Sequence, residues 1–107
     1  MDELLADRVR VLLTGLPGLS EKRMFGGLCF LVNGNMACGV TNKDEVMLRV
    51  GPERYRELLA KHEAREMDFT GRPMKGFLFI DPDGMDVEEL AAWLEPAVDF
   101  ASSLPAK

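Results

Sequence analysis

The dipeptide Asn33-Gly34 constrains the fold of this chain more than any other feature of its sequence. It separates two apolar runs, at residues 28–32 and 36–40. A two-residue type I′ turn needs a positive φ at both central positions, and Asn followed by Gly meets that need at low cost. The sequence therefore predicts a tight antiparallel β-hairpin over residues 28–40.

Turn and cap residues divide the rest of the chain into short elements around this hairpin. Strands are predicted at residues 22–25, 45–50, 65–69 and 77–80, with a glycine-bounded loop at 71–76. Helices are predicted at residues 2–14, from Pro52 to about His62, and from an Asp86 cap onward, with Pro96 kinking or splitting the last one. The order is helix, three or four strands, helix, two strands, helix. It predicts an α+β fold with an antiparallel sheet of five to six strands.

Length and composition favour one cytoplasmic domain over residues 1–107. A hydrophobic content of 47% is enough to build a core and argues against disorder. The chain has no apolar run of membrane-spanning length, and its first residues are acidic, unlike a signal peptide, so we expect no contact with membranes. Two cysteines without a C-x-x-C spacing agree with a reducing compartment.

The net charge of −5 opposes direct binding of nucleic acids, which relies on basic surface. The charge is uneven, because residues 81–107 carry −6 and the remainder only +1. The weakly basic middle therefore remains available as a contact surface. Its candidate anion or ligand residues are Arg23, Arg49, Arg72 and Lys75. The simpler interpretation, which we favour, is that these are solvated basic residues.

The two cysteines are candidates for redox chemistry. If the strands of the hairpin pair without irregularity, Cys29 lies opposite Cys38 on one face of the sheet, at a non-hydrogen-bonded position where side chains approach closely. A redox couple would then be geometrically feasible. The simpler interpretation, again favoured, is that both are small buried side chains.

Both faces of the predicted hairpin are apolar, whereas a sheet with one wet face should alternate apolar and polar residues. Helices could cover one face, and the C-terminal helix, a second copy of the chain or a protein partner could cover the other. The simpler interpretation is that the three helices of the chain suffice. No metal-binding or cofactor-binding motif is present, and no catalytic set can be assembled around the single histidine. We therefore expect no cofactor, no metal and no catalytic residues, and the sequence leaves enzymatic activity undecided.

Three runs resemble the N-terminal domain of the TfoX/Sxy family: residues 23–27, residues 30–40 with Asn33-Gly34-Asn35-Met36, and residues 71–77. Trp93 and the ending at residues 102–107 are also similar. The resemblance implies a two-layer α+β sandwich. The best-known members are regulators of natural competence that help a cyclic-AMP receptor protein at promoters and carry a second, C-terminal domain. This chain is expected to lack that domain.

The resulting hypothesis is a non-enzymatic regulatory or protein-interaction domain, which the resemblance links to transcription or competence. The alternative is a small-molecule or anion-binding module, or a redox-responsive protein that uses Cys29 and Cys38.

Overall fold

A computed structural model describes residues 3–24, 26–69 and 72–107, and their side chains except at 68, 69, 72 and 73. The predicted contributions of Asp2, Phe25 and Gly71 lie outside these residues. Within them the chain forms three helices and six strands, in the predicted α+β order. The helices are α1 (Glu3–Leu13), α2 (Pro52–Leu59) and α3 (Val87–Ser103). The strands are β1 (Leu19–Met24), β2 (Gly27–Val32), β3 (Asn35–Val40), β4 (Val46–Arg49), β5 (Ala64–Phe69) and β6 (Arg72–Ile80).

The six strands form one antiparallel sheet in the order β1-β2-β3-β4-β6-β5. Each strand pairs with its neighbour along the chain except where β6 is inserted between β4 and β5. This insertion follows from the α2 connection, which carries the chain from the end of β4 to the far edge of the sheet. The sheet confirms the predicted five to six antiparallel strands.

The predicted type I′ turn is present, because Asn33 has φ 52° and Gly34 has φ 82°. The backbone N–H of Lys107 donates to the carbonyl of Asn33 at 2.9 Å, and the buried Asn35 side chain donates to the carbonyl of Pro105, also at 2.9 Å. The end of the chain is thus tied to the hairpin turn.

The pairing within the hairpin differs from the prediction. Beside the turn, Leu31 pairs with Met36 as expected, but the next pair is Phe30 with Cys38. Ala37 is the extra residue of a β-bulge, and the register beyond it is shifted by one. Because neighbouring residues of a strand point to opposite faces, this shift separates the two cysteines. The predicted pairing of Cys29 with Cys38 is wrong.

One face of the sheet holds the main core, which the three helices cover. Helix α3 lies over β2, β3 and β4, and α2 lies over β5 and β6. Helix α1 packs into the same core. It is also linked to β1 by two hydrogen bonds, in which the Arg10 guanidinium donates to the Glu21 carboxylate at 2.7 and 2.9 Å. The sheet residues of this core are Leu28, Phe30, Cys38, Val40, Val46, Leu48, Leu78 and Ile80.

The predicted loop at residues 71–76 is wrong from position 72 onward, because β6 begins at Arg72. The strand accommodates Gly76 at φ 92°, a conformation that glycine adopts without a side-chain clash. The Gly76 carbonyl accepts from the N–H groups of Val50 and Gly51 at 2.8 and 3.2 Å, which joins the strand to the start of α2.

Helix α3 begins at the predicted cap. The Asp86 carboxylate accepts a hydrogen bond from the Glu89 N–H at 2.8 Å, and the Glu89 carboxylate accepts one from the Asp86 N–H. The predicted split at Pro96 does not occur, because α3 runs without a break from Val87 to Ser103 with Pro96 inside it. None of the described helices is both long and apolar enough to cross a membrane.

Candidate functional site on the open face of the sheet

The second face of the sheet carries a separate apolar cluster, here called the open face. At its centre are Cys29, Met47 and Met67, each buried. The half-buried side chains around them are Met24, Leu31, Met36, Met74, Phe77 and Phe79. Among the residues that the structure describes, every member of this cluster comes from a strand and none from a helix. The helices therefore leave this apolar surface uncovered.

Cross-strand pairing aligns six open-face residues in one row that crosses every strand. The row consists of Lys22, Cys29, Gly39, Met47, Phe79 and Arg65. Its middle is apolar and each end is a cation on an edge strand, Lys22 on β1 and Arg65 on β5. Five strand spacings give the row a length of about 24 Å.

Gly39 lies in the middle of this row and packs closely against β2. An added Cβ would lie 2.9 Å from the Leu28 carbonyl oxygen and 3.4 Å from the Cys29 sulfur, so the close approach of the strands favours glycine. Gly27 is more restricted, since an added Cβ would lie 2.2 Å from the Val40 carbonyl oxygen. Both glycines line a cavity of about 360 Å³, which is walled by Met24, Cys29, Met47, Met67 and Phe79 and rimmed by the β3–β4 turn.

Two arginines are held on aromatic rings beside the open face. The Arg65 guanidinium lies 5.5 Å from the centre of the Phe79 ring and also pairs with Glu45. The Arg49 guanidinium lies 5.7 Å from the Phe77 ring and 5.3 Å from the Phe100 ring of α3. Stacking of this kind fixes the plane of a guanidinium while its N–H edge can still bind a carboxylate.

The structure separates two of the four predicted anion residues, Arg23 and Arg49. Arg23 pairs with Leu28 and so lies on the helix-covered side of β1, whereas Arg49 lies three strands away and pairs with the open-face residue Phe77. Three strand spacings separate them by about 14 Å. Lys75 is an exposed residue of β6, and the side chain of Arg72 lies outside the described part of the structure.

The cysteines occupy opposite faces of the sheet, Cys29 at the cavity and Cys38 in the helix-covered core. Burial raises the pKa of the Cys29 thiol. Burial, and to a lesser extent the neighbouring Cys29, raises the pKa of Cys38 to about 12. Both are therefore protonated thiols at neutral pH, which opposes nucleophilic and metal-binding roles. Among the described residues, no three His, Cys, Asp or Glu side chains are grouped so as to hold a metal.

The open face was only partly predictable. The two apolar faces of the hairpin indicated an uncovered surface, but they did not single out the methionines at positions 24, 47, 67 and 74. These residues lie in β1, β4, β5 and β6, and taken singly each is also typical of core filling. The cavity depends on pairing across strands, which the sequence pattern did not reveal.

Comparison with known protein families assigns the chain to a family. The model of the TfoX N-terminal domain matches residues 11–101. The chain belongs to the TfoX N-terminal domain family. The match begins within α1 and ends within α3, and so includes every strand of the open face. It confirms the family resemblance seen in the sequence.

A solved structure supports the fold of this TfoX N-terminal domain. The crystal structure of the Deinococcus radiodurans protein DR2400, which carries the domain family DUF419, superposes with a TM-score of 0.72. The two chains are 23% identical, and the likeness covers 92% of this chain and 78% of the other. At that identity the comparison shows a shared fold. No curated protein matched the chain.

Proposed function

We propose that this TfoX N-terminal domain is a non-enzymatic regulatory domain that binds a protein partner through the open face of its sheet. The observation that carries the proposal is the apolar cluster centred on Cys29, Met47 and Met67, which the three helices leave uncovered. Contiguous apolar surface on a folded protein is the usual mark of an interaction site.

The chemistry of the surface supports protein binding. Methionine is flexible and polarisable, so a surface rich in methionine can adapt its packing to a partner. The aromatic rings of Phe77 and Phe79 add the large side chains that contribute most to interface energies. The proposal places this binding in the cytoplasm, in transcriptional regulation of the kind that the family resemblance suggests, and it excludes direct binding of nucleic acids.

Site-specific photocrosslinking in living cells tests the proposal. The photoreactive residue p-benzoylphenylalanine replaces Met36, which is half-buried on the open face. The matched control carries it at Glu57, an exposed residue of α2. Both proteins are first checked for native circular dichroism. We expect a crosslinked protein from position 36 and none from position 57.

The identity of the crosslinked species decides between the alternatives. A different protein, whose capture is lost when Leu31→Glu is added to the open face, supports the proposal. Crosslinks only between copies of this chain would replace the partner by a homodimer. Equal crosslinking from positions 36 and 57, or none from position 36, would overturn the open face as the binding surface.

The cavity beside Cys29 favours a second candidate function, the binding of a small apolar molecule. Its volume of about 360 Å³ lies within the range of ligand pockets. A thermal-shift screen of aromatic and aliphatic compounds, nucleotides and phosphates tests this candidate against a Met47→Trp variant that fills the cavity. Flat melting curves for the natural chain would dismiss it.

A further inference from the structure

We propose, building on the proposed function, that the partner presents an amphipathic helix whose apolar stripe is flanked by acidic residues and inserts one large apolar side chain into the cavity at Gly39. The argument rests on the charges around the open face, on its dimensions and on the position of the cavity.

Lysine and arginine side chains surround the open face. Lys22 and Arg65 mark its two edge strands, Arg49 lies at one end of β4, and Lys43 of the β3–β4 turn lines the cavity rim at the other end. Within the described side chains, Glu45 is the acid at this rim, and it is already paired with Arg65. Lys22, Lys43 and Arg49 form no ion pair with a described carboxylate.

This arrangement is complementary to an acidic partner. The acidic residues of the chain are concentrated elsewhere, with Glu88, Glu89, Glu95 and Asp99 on α3 in the opposite layer. A symmetric face-to-face dimer would bring the cationic rim of one copy against that of the other, which is unfavourable. Nucleic acids and anionic membranes are disfavoured because the net charge of −5 repels polyanions over longer distances.

The dimensions fit one helix. The row from Lys22 to Arg65 is about 24 Å long, which a helix of about 16 residues spans. Helices are the usual cover for a sheet face, as α2 and α3 are on the other side of this sheet. The cavity lies in the middle of the row, where Gly39 has no side chain and the thioether of Met47 can contact an aromatic ring. A central pocket surrounded by a polar rim is the typical position for the anchor residue of an interface.

A peptide-display selection tests the partner chemistry directly, with peptides in place of the partner protein. The library encodes helices of about 16 residues in which the stripe positions vary among apolar residues and the flanking positions vary among Glu, Lys, Gln and Ser. The full chain is the bait, and the Met36→Glu variant is the matched control bait. We expect enrichment of Glu at the flanks and of a Trp, Phe or Leu anchor at the centre of the stripe.

Two measurements then locate the binding of one selected peptide. Lys22→Glu should weaken binding by about three- to tenfold, and Lys61→Glu, at a cation that lies against Trp93 of α3, should change it less than twofold. With carbon-13-labelled methionine methyl groups, Met24, Met47 and Met67 should shift on peptide addition while Met85, which packs against the helix-covered core, stays in place.

The outcomes separate this inference from the proposed function. Enrichment of neutral or Lys-rich flanks, or equal enrichment on the Met36→Glu bait, would overturn the acidic helix. A positive crosslink at position 36 together with such a result leaves protein binding by the open face intact and rejects only this partner chemistry. Failure of both experiments rejects both proposals.

Discussion

The difference in thiol reactivity between Cys29 and Cys38 is a direct test of the β-bulge at Ala37. The variants Cys38→Ala and Cys29→Ala each leave one thiol, on the open face and in the helix-covered core respectively. Iodoacetamide reacts with the thiolate, so the rate follows the ionised fraction and the access of the reagent. We expect Cys29 to react measurably in the folded protein and Cys38 to react only when the chain opens.

The magnitude follows from the pKa of the core thiol. Its pKa of about 12, against an ordinary value of 9.0, lowers the thiolate fraction of Cys38 at neutral pH by about a thousandfold. Cys29 lines the cavity, and burial raises its pKa too, so its rate should fall between that of Cys38 and that of an unfolded chain. Below both pKa values each rate should rise about tenfold per pH unit.

Alkylation is followed by mass spectrometry in buffer and in denaturing urea, where both variants should react at the same rate. Equal rates for Cys29 and Cys38 in the native proteins would refute the shifted register, because an unshifted hairpin places both thiols on one face. The same register predicts that mild oxidation of the natural chain forms no disulfide between them, since side chains on opposite faces cannot meet disulfide geometry.

Three further substitutions test the packing. Leu48→Ala, at a fully buried position under α3, should lower the free energy of unfolding by about 2–5 kcal/mol in urea denaturation, and a loss below about 1 kcal/mol would contradict its placement in the core. Gly27→Ala should lower the melting temperature, because the new Cβ would lie 2.2 Å from the Val40 carbonyl oxygen; an unchanged melting temperature would mean that β2 and β3 are farther apart. The hydrogen bond from Arg10 lowers the pKa of Glu21 below its ordinary value of 4.5. The ionised Glu21 therefore stabilises the fold above about pH 4.5, and this stabilisation is lost as the pH falls through the lowered pKa of Glu21. Glu21→Gln should therefore be destabilising at pH 7, and its difference from the natural chain should shrink on acidification; a constant difference would argue against the ion pair.

Local sequence was sufficient to predict the elements whose geometry is decided by a few adjacent residues. Asn33-Gly34 specified its turn because both φ angles must be positive there, and Asp86 with Glu89 specified the start of α3 because the two side chains satisfy each other's backbone N–H groups. The α+β order followed from the spacing of such signals, and the family followed from motifs near the same turns.

The candidate site was less predictable because it depends on contacts between distant residues. The basic residues Arg23 and Arg49 looked alike in sequence, but pairing across the sheet places them on different faces. The length of β6 was missed because Gly71 and Gly76 resemble loop residues, whereas hydrogen bonds from Val50 and Gly51 hold Gly76 within the strand.

The sequence alone determined that this chain folds as an α+β domain around one tight hairpin with apolar residues on both sides. Only the tertiary structure decided which face of the hairpin the helices cover, which of the two cysteines lies on that face, and where the open face has its cavity. The physical reason is the two-residue period of a β-strand: one bulged residue, Ala37, reverses the face of the residues that follow it in β3. Local preferences do not encode that choice, because it depends on how well whole layers pack against each other.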